Sequence, residues 1–77
     1  MAENNSALVY EREELVADGL LTVSDAAGFL KVSRSRVYEL MDRGELAFAK
    51  IGRSRRIPRR AVVELAARSL QGGRKAP

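Results

Sequence analysis

The spacing of hydrophobic residues predicts a short helix in the first half of the chain. Its apolar positions are Val23, Ala26, Ala27 and Leu30. They fall at i, i+3, i+4 and i+7, which is one stripe of an α-helix. Thr22 and Asp25 have the spacing of a capping box, so the helix is expected to begin directly after Thr22.

A second helix is predicted over residues 34–43. Ser33 precedes it as an N-cap candidate, and Gly44 follows it as a C-terminal stop. Its inward positions are Val37, Leu40 and Met41. Two short helices joined by a turn of three residues form a helix-turn-helix.

The period of the pattern changes over residues 46–57. Ala47, Ala49 and Ile51 alternate there with Phe48 and Lys50 as in a strand. Gly52-Arg53-Ser54 turns the chain, and Arg55-Arg56-Ile57 returns. Pro58 suits the first turn of a third helix. The pattern that extends this helix consists of Val62, Val63, Leu65, Ala66, Ser69 and Leu70. The expected fold is mainly α with a small β-hairpin.

Three regions are expected along the chain. Residues 1–20 form an acidic extension in which 7–18 can be helical before Gly19, residues 21–70 form the folded domain, and residues 71–77 form a flexible basic tail. The extension is either a partly ordered segment that packs weakly on the body or an arm for dimerisation or another partner. A further hypothesis is that it folds back over the basic surface and reduces non-specific binding.

Composition excludes several kinds of site. The 77 residues suffice for one small domain and include no cysteine and no histidine. Cys/His zinc sites and His-dependent nucleophilic triads are therefore impossible, and we expect no catalytic residues, no metal and no cofactor. A pocket for a small-molecule substrate is not expected. No apolar run reaches about 18 residues, the length typical of a membrane span, so no membrane partner is expected. The expected location is the cytoplasm, on the nucleoid when the protein is bound to DNA.

The net charge of +4 is unevenly distributed. Residues 1–20 carry −4, whereas residues 21–77 carry +8. Residues 50–60 contain six cationic side chains and no acidic one. Like charges at this density repel one another unless a counter-charge is present, and the phosphate backbone of nucleic acid is the obvious one. The asymmetry therefore favours a polyanion-binding body behind an acidic arm.

The second predicted helix is suited to the major groove, because its first turn carries Arg34, Ser35 and Arg36 beside free backbone amides. Arg36 is a candidate for bidentate binding to guanine. Glu39 is either an acceptor for a cytosine amino group or a surface partner of Arg43. Tyr38 is either a phosphate donor or a half-buried structural residue.

The sequence resembles the excisionase-type DNA-binding domain, a small winged helix-turn-helix related to the DNA-binding domain of MerR-type regulators. The resemblance covers residues 21–70. The matching blocks are Leu21-Thr22-Val23-Ser24-Asp25-Ala26-Ala27, Val32-Ser33-Arg34-Ser35-Arg36-Val37-Tyr38, Arg43-Gly44-Glu45-Leu46, Lys50-Ile51-Gly52-Arg53 and Arg56-Ile57-Pro58-Arg59. The chain departs from the family at Lys31, where glycine is usual, and at Gly28, which could shorten or shift the first helix.

The resemblance implies that residues 33–43 lie in the major groove of double-stranded DNA. The hairpin wing then reaches the adjacent minor groove or its phosphates. The candidate residues of the recognition helix are Ser33, Arg34, Ser35, Arg36, Tyr38 and Glu39. Those of the wing are Lys50, Gly52, Arg53, Ser54, Arg55 and Arg56.

Members of this family act as excisionases, which bend DNA and recruit an integrase, or as short transcriptional regulators. The short chain leaves no room for an effector domain, which favours an excisionase that binds neighbouring sites cooperatively. The alternative, a transcriptional regulator, would bind half-sites near a promoter. Self-association along DNA or as a dimer fits these roles. An interpretation from another class is a protein-interaction module without DNA binding. Single-stranded RNA is disfavoured because the four aromatic residues form no visible stacking platform.

Overall fold

The computed structural model describes residues 12–73, which contain four helices and three short strands. The helices are α1 (Arg12–Val16), α2 (Val23–Leu30), α3 (Arg34–Asp42) and α4 (Arg59–Arg68). The strands are β1 (Leu20–Leu21), β2 (Ala49–Ile51) and β3 (Ser54–Pro58). This order confirms the expected winged helix-turn-helix, in which α2 and α3 form the helix-turn-helix and the β2–β3 hairpin is the wing.

Helix α2 begins at the predicted capping box. The Asp25 amide donates to Thr22 Oγ1 at 2.9 Å, and the Thr22 amide donates to Asp25 Oδ2 at 3.2 Å. Both bonds satisfy donors that a helix leaves unpaired at its start. The expectation that Gly28 could shorten the helix is not met, since α2 continues through it to Leu30.

The turn between α2 and α3 places Lys31 in the left-handed region, at φ 61°. The amides of Lys31 and Val32 both donate to the carbonyl of Ala27, which closes the end of α2. Such a C-cap is usually glycine, because a β-carbon is strained at this φ. Among the described residues, Lys31 is the one non-glycine residue with a positive φ.

Helix α3 has both predicted ends. Ser33 Oγ accepts from the Arg36 amide at 3.0 Å, and Gly44, at φ 76°, follows the last turn. The Glu45 amide then donates back to the Leu40 carbonyl at 2.9 Å. This bond is the 6→1 bond of a Schellman motif, so glycine at position 44 has a clear geometric reason.

The wing is shorter than the sequence pattern indicated. Ala49 pairs with Arg56, and Ile51 pairs with Ser54, so the turn consists of Gly52 and Arg53 alone. Ser54 lies in β3, which corrects the expected three-residue turn. Gly52 has φ 63°, as the first residue of a type II′ hairpin turn requires.

The alternation predicted from residue 46 begins as a strand only at Ala49. Leu46 lies in the core instead, with 2% of its surface exposed. Burying this side chain requires the chain to leave α3 towards the core before it can enter the sheet. The early part of the predicted strand was therefore wrong.

Strand β1 was not predicted. Leu20 pairs with Pro58 and Leu21 with Ile57, which gives the sheet order β1-β3-β2. The Arg59 amide also donates to the Gly19 carbonyl at 3.0 Å. The chain just before α2 is thus part of the body through its pairing with β3.

Helix α4 begins after Pro58 and ends earlier than its apolar pattern indicated. Pro58 is the N-cap, with the helix starting at Arg59 rather than at the proline itself. The buried positions are Ala61, Val62 and Leu65. Val63 is 44% exposed, and Leu70 lies beyond the helix with 79% exposed, so the predicted stripe was too wide.

The core lies where α2, α3, α4 and β3 meet. Its buried members are Val23, Ala26, Ala27, Val37, Leu40, Met41, Leu46, Ile57, Ala61, Val62 and Leu65. The predicted inward faces of α2 and α3 are therefore confirmed, with Leu30 partly buried against the core. None of the described polar or charged residues is buried, so hydrophobic packing alone forms this core.

Helix α1 contains no buried residue and packs against α4. Asp18 Oδ2 lies 3.8 Å from Arg60 Nε, and the Gly19 amide donates to the Val16 carbonyl at 2.9 Å. The first part of the predicted helix over 7–18 lies outside the described residues, as do residues 74–77 of the tail. No helix in residues 12–73 is long and apolar enough to cross a membrane.

Replacing Lys31 by glycine is expected to stabilise the protein by about 1 kcal/mol, because glycine adopts the left-handed conformation without strain. Urea unfolding monitored by circular dichroism measures the change in free energy. The matched control is Gly44→Ala, which introduces a β-carbon at φ 76° and is expected to destabilise by a similar amount. A destabilised Lys31→Gly protein would contradict this account of the turn.

Candidate nucleic-acid interface

The outward face of α3 is polar and exposed. Val37, Leu40 and Met41 are buried beneath it, so the helical period turns the intervening side chains to solvent. The exposed side chains that line a shallow depression on this face are Ser33, Ser35, Arg36, Tyr38, Glu39, Asp42 and Arg43. Five of the six residues predicted for the recognition helix lie here.

Glu39 lies between two arginines on this face. Arg36 Nη1 is 2.6 Å from Glu39 Oε1, and Arg43 Nη1 is 3.9 Å from Glu39 Oε2. The surface-partner interpretation of Glu39 is thus realised in the free protein. Both side chains of the closer pair are about half exposed, so the ion pair contributes only about 0.2–1 kcal/mol. A competing ligand could therefore take either group at little cost.

Arg34, the remaining predicted residue of α3, points towards α2. Its Nη1 donates to Ser24 Oγ at 2.9 Å. Ser24 lies in the first turn of α2, so this bond brings the N-terminal ends of α2 and α3 together. Sequence analysis missed Ser24, whose partner lies ten residues away.

A cleft of about 400 Å³ separates the start of α2 and the side of α3 from the wing. Its cationic lining residues are Arg34, Lys50, Arg53, Arg55 and Arg56. No acidic side chain is among its lining residues. Tyr38 and Ser54 also line it, so the cleft unites predicted residues from the helix and from the wing.

The cationic side chains of the wing differ in what they already contact. Arg55 Nη1 lies 3.2 Å from Asp42 Oδ1, and Arg56 Nη1 donates to the Arg55 carbonyl at 3.0 Å. The side chains of Lys50 and Arg53 make no hydrogen bond or ion pair within residues 12–73. These two are exposed, and Arg53 follows Gly52 at the tip of the wing.

The six cationic residues of the 50–60 segment do not form one patch. Arg59 lies over the ring of Phe29, with 5.8 Å from its Cζ to the ring centroid, and Arg60 lies near Asp18. Both residues belong to α4 rather than to the wing. Sequence analysis found no counter-charge in this segment, because the partners Asp18 and Asp42 are distant in sequence.

The described part of the acidic extension lies away from this cleft. Helix α1 packs on α4, and its residues are not among those that line the cleft. The fold-back hypothesis therefore depends on residues 1–11, which lie outside the described residues, and it stays a prediction. No group of three or more metal-binding acidic side chains occurs among residues 12–73.

The family model of the helix-turn-helix domain matches residues 20–69, well over half of the chain. The chain belongs to this helix-turn-helix domain family. The match begins at Leu20, so it includes β1 as well as the wing and α4. No solved structure matches the chain.

Two curated relatives of this helix-turn-helix domain carry excisionase names. One is a probable excisionase of Saccharopolyspora erythraea, 49% identical over 49 residues that make up 64% of this chain and 50% of the relative. The other is an excisionase of Streptomyces ambofaciens, 47% identical over 47 residues that make up 61% of this chain and 76% of the relative. The matched segment thus spans half the length of the first relative. The resemblance to excisionase-type domains is confirmed as a similarity.

Ser33→Ala is expected to destabilise the helix-turn-helix domain by about 1 kcal/mol, because the Arg36 amide loses its acceptor at the start of α3. Thermal or urea unfolding measures the change. Ser35→Ala is the matched control, since the Ser35 side chain is exposed and makes no hydrogen bond within the described chain. Its change should stay within about 0.5 kcal/mol. Equal effects of both substitutions would show that Ser33 is not the cap that holds α3.

Proposed function

We propose that this helix-turn-helix domain binds double-stranded DNA in a sequence-specific way, without catalysis and without a cofactor. The observation that carries the proposal is the cleft beside the exposed face of α3, which has no acidic lining residue. Four of its cationic side chains, Arg34, Lys50, Arg53 and Arg56, form no ion pair with a carboxylate of the described chain. A surface of this charge attracts phosphate, and the polar helix beside it provides side chains that can discriminate bases.

In the proposed complex, α3 lies in the major groove, which is about 12 Å wide and accepts one helix. Ser35, Arg36 and Glu39 then face base edges. Arg36 exchanges its ion pair with Glu39 for the acceptors of a guanine, which leaves Glu39 available to a cytosine amino group. In the free protein the ion pair holds the two side chains next to one another on the exposed face of α3, which supports their assignment to neighbouring base pairs.

In the proposed complex, the phosphate backbone passes through the cleft between α3 and the wing. Arg34 reaches it from the helix side, with Ser33 and Tyr38 nearby, and Lys50 reaches it from β2. The wing tip, Gly52-Arg53, extends to the adjacent minor groove or its phosphates. In this arrangement α3 provides sequence discrimination, whereas the wing provides affinity that does not depend on sequence.

The proposed biological role is that of an excisionase-like protein, which bends DNA and assists an integrase. The names of the two relatives support this role over the alternative, a short transcriptional regulator of the MerR-like type. Both roles use the same DNA surface and place the protein in the cytoplasm, on the nucleoid when bound. A protein-interaction module without DNA binding is the alternative from another class.

Selection from a random duplex library at about 0.15–0.2 M salt tests the proposal, because non-specific binding is weakened there. An enriched sequence motif is the expected result. Tandem direct repeats would support cooperative excisionase binding, whereas an inverted pair would support a dimeric regulator. If no duplex is retained, DNA binding is wrong and the basic cleft requires a protein partner.

Arg36→Ala and Arg53→Ala are expected to weaken DNA binding in different ways. Arg36→Ala should cost about 1–3 kcal/mol at one base pair and relax the preference there. Arg53→Ala should weaken binding to every sequence alike and lower the magnitude of the salt slope by about 1. Fluorescence anisotropy with matched and mismatched duplexes at several salt concentrations measures both quantities.

Arg12→Ala is the control for loss of one positive charge, since Arg12 is exposed on α1 and is not among the residues that line the cleft. It should leave the salt slope and the base preference unchanged. Uniform losses on all sequences for Arg36→Ala would refute its assignment to a base, and an unchanged salt slope for Arg53→Ala would refute its assignment to a phosphate.

A further inference from the structure

Arg55 connects the wing to α3. Its guanidinium Cζ lies 4.6 Å from the ring centroid of Phe48 and 5.4 Å from that of Tyr38, and its Nη1 lies 3.2 Å from Asp42 Oδ1. Phe48 precedes β2, whereas Tyr38 and Asp42 are one turn apart on α3. We refer to these four residues as the Arg55 cluster.

The cluster provides the polar and ring contacts between wing and helix. Within residues 12–73, each hydrogen bond, ion pair and ring contact that joins α3 to the β2–β3 hairpin involves Arg55. The base of the wing is held separately, because β3 pairs with β1 and packs on α2 and α4 through the buried Ile57. The outer half has no such support, and Ile51 there is 58% exposed.

Arg55 also differs from the other cationic side chain near the tip. Its side chain is 29% exposed, its charge is opposed by a carboxylate, and its planar group is engaged by two aromatic rings. Arg53 is exposed and makes none of these contacts within the described chain. A guanidinium that already contacts two rings and a carboxylate binds a phosphate less favourably, because these contacts would have to break first.

We propose that Arg55 is a positioning residue, which fixes the outer half of the wing relative to α3 before DNA arrives. Its consequence for DNA recognition rests on the proposed function, whereas its effect on the wing is a property of the free protein. A wing held in place allows both elements to bind one duplex without first losing the freedom of the hairpin. Arg53 and Lys50 then neutralise phosphate, while Arg55 does not.

Amide hydrogen exchange of the free protein tests the positioning role directly. Arg55→Met keeps an unbranched side chain but removes the charge and the planar group. It should speed exchange of the β2–β3 amides roughly three- to thirtyfold, the size expected for loss of the two contacts that join Arg55 to α3, the cation–π contact with Tyr38 and the ion pair with Asp42. The α4 amides should exchange at the wild-type rate. Arg53→Met is the matched control and should change neither set.

Tyr38 provides an independent pair of variants. Tyr38→Phe keeps the ring and removes the hydroxyl, so hairpin exchange should stay at the wild-type rate. Tyr38→Leu removes the ring and should speed it in the same direction as Arg55→Met. Equal exchange rates in wild type, Arg55→Met and Tyr38→Leu would overturn the positioning role.

DNA titrations separate this proposal from the proposed function. Arg55→Met should weaken binding with little change in the salt slope, whereas Arg53→Met should lower the magnitude of the slope by about 1. A drop of about 1 for Arg55→Met, with unchanged hairpin exchange, would make Arg55 a phosphate ligand and overturn the proposal. Faster hairpin exchange in a protein that retains no duplex would support the positioning role while the DNA-binding function fails.

Discussion

The packing around Ile57 holds the two halves of the fold together. Ile57 is fully buried in the central strand of the sheet, and Val37 of α3 and Val62 of α4 are equally buried in the same core. Without cysteine, no disulfide can compensate for loss of this packing. One buried aliphatic side chain thus fixes the base of the wing relative to the recognition helix. The polar contacts further out fix its outer half.

Features set by neighbouring residues could be predicted from the sequence, and those set by distant residues could not. The capping box at Thr22, the Ser33 cap and the Gly44 stop depend on bonds across three to five residues, so local spacing was sufficient. Strand β1 depends on pairing with β3 almost forty residues later, and two residues carry no periodic signal. Most predicted interface residues were brought together, but the engagement of Arg55 by Asp42 required the folded chain.

The number of cationic residues in the segment 50–60 is larger than the number that the folded surface leaves available to a ligand. Several arginines of the basic segment face carboxylates or rings from other elements, among them Arg55 and Arg60. On α3, Arg36 and Glu39 oppose one another in the same way. A sequence-level count cannot separate charges that are committed within the fold from those that remain available, whereas the structure separates them residue by residue. Within the described part of the wing, Lys50 and Arg53 are the cationic side chains that make no hydrogen bond, ion pair or ring contact.

The pairing of β1 with β3 also has a mechanical consequence. The strand that forms one side of the wing is the strand to which Leu20 and Leu21 are bonded, and the Arg59 amide adds a further bond to Gly19. A force that pulls on the residues directly before Gly19 would therefore first shear the hydrogen bonds between β1 and β3, and only then act on α3. Residues 19–21 and the wing are thus joined through one strand, β3, and Arg55 of that strand contacts the recognition helix from the side.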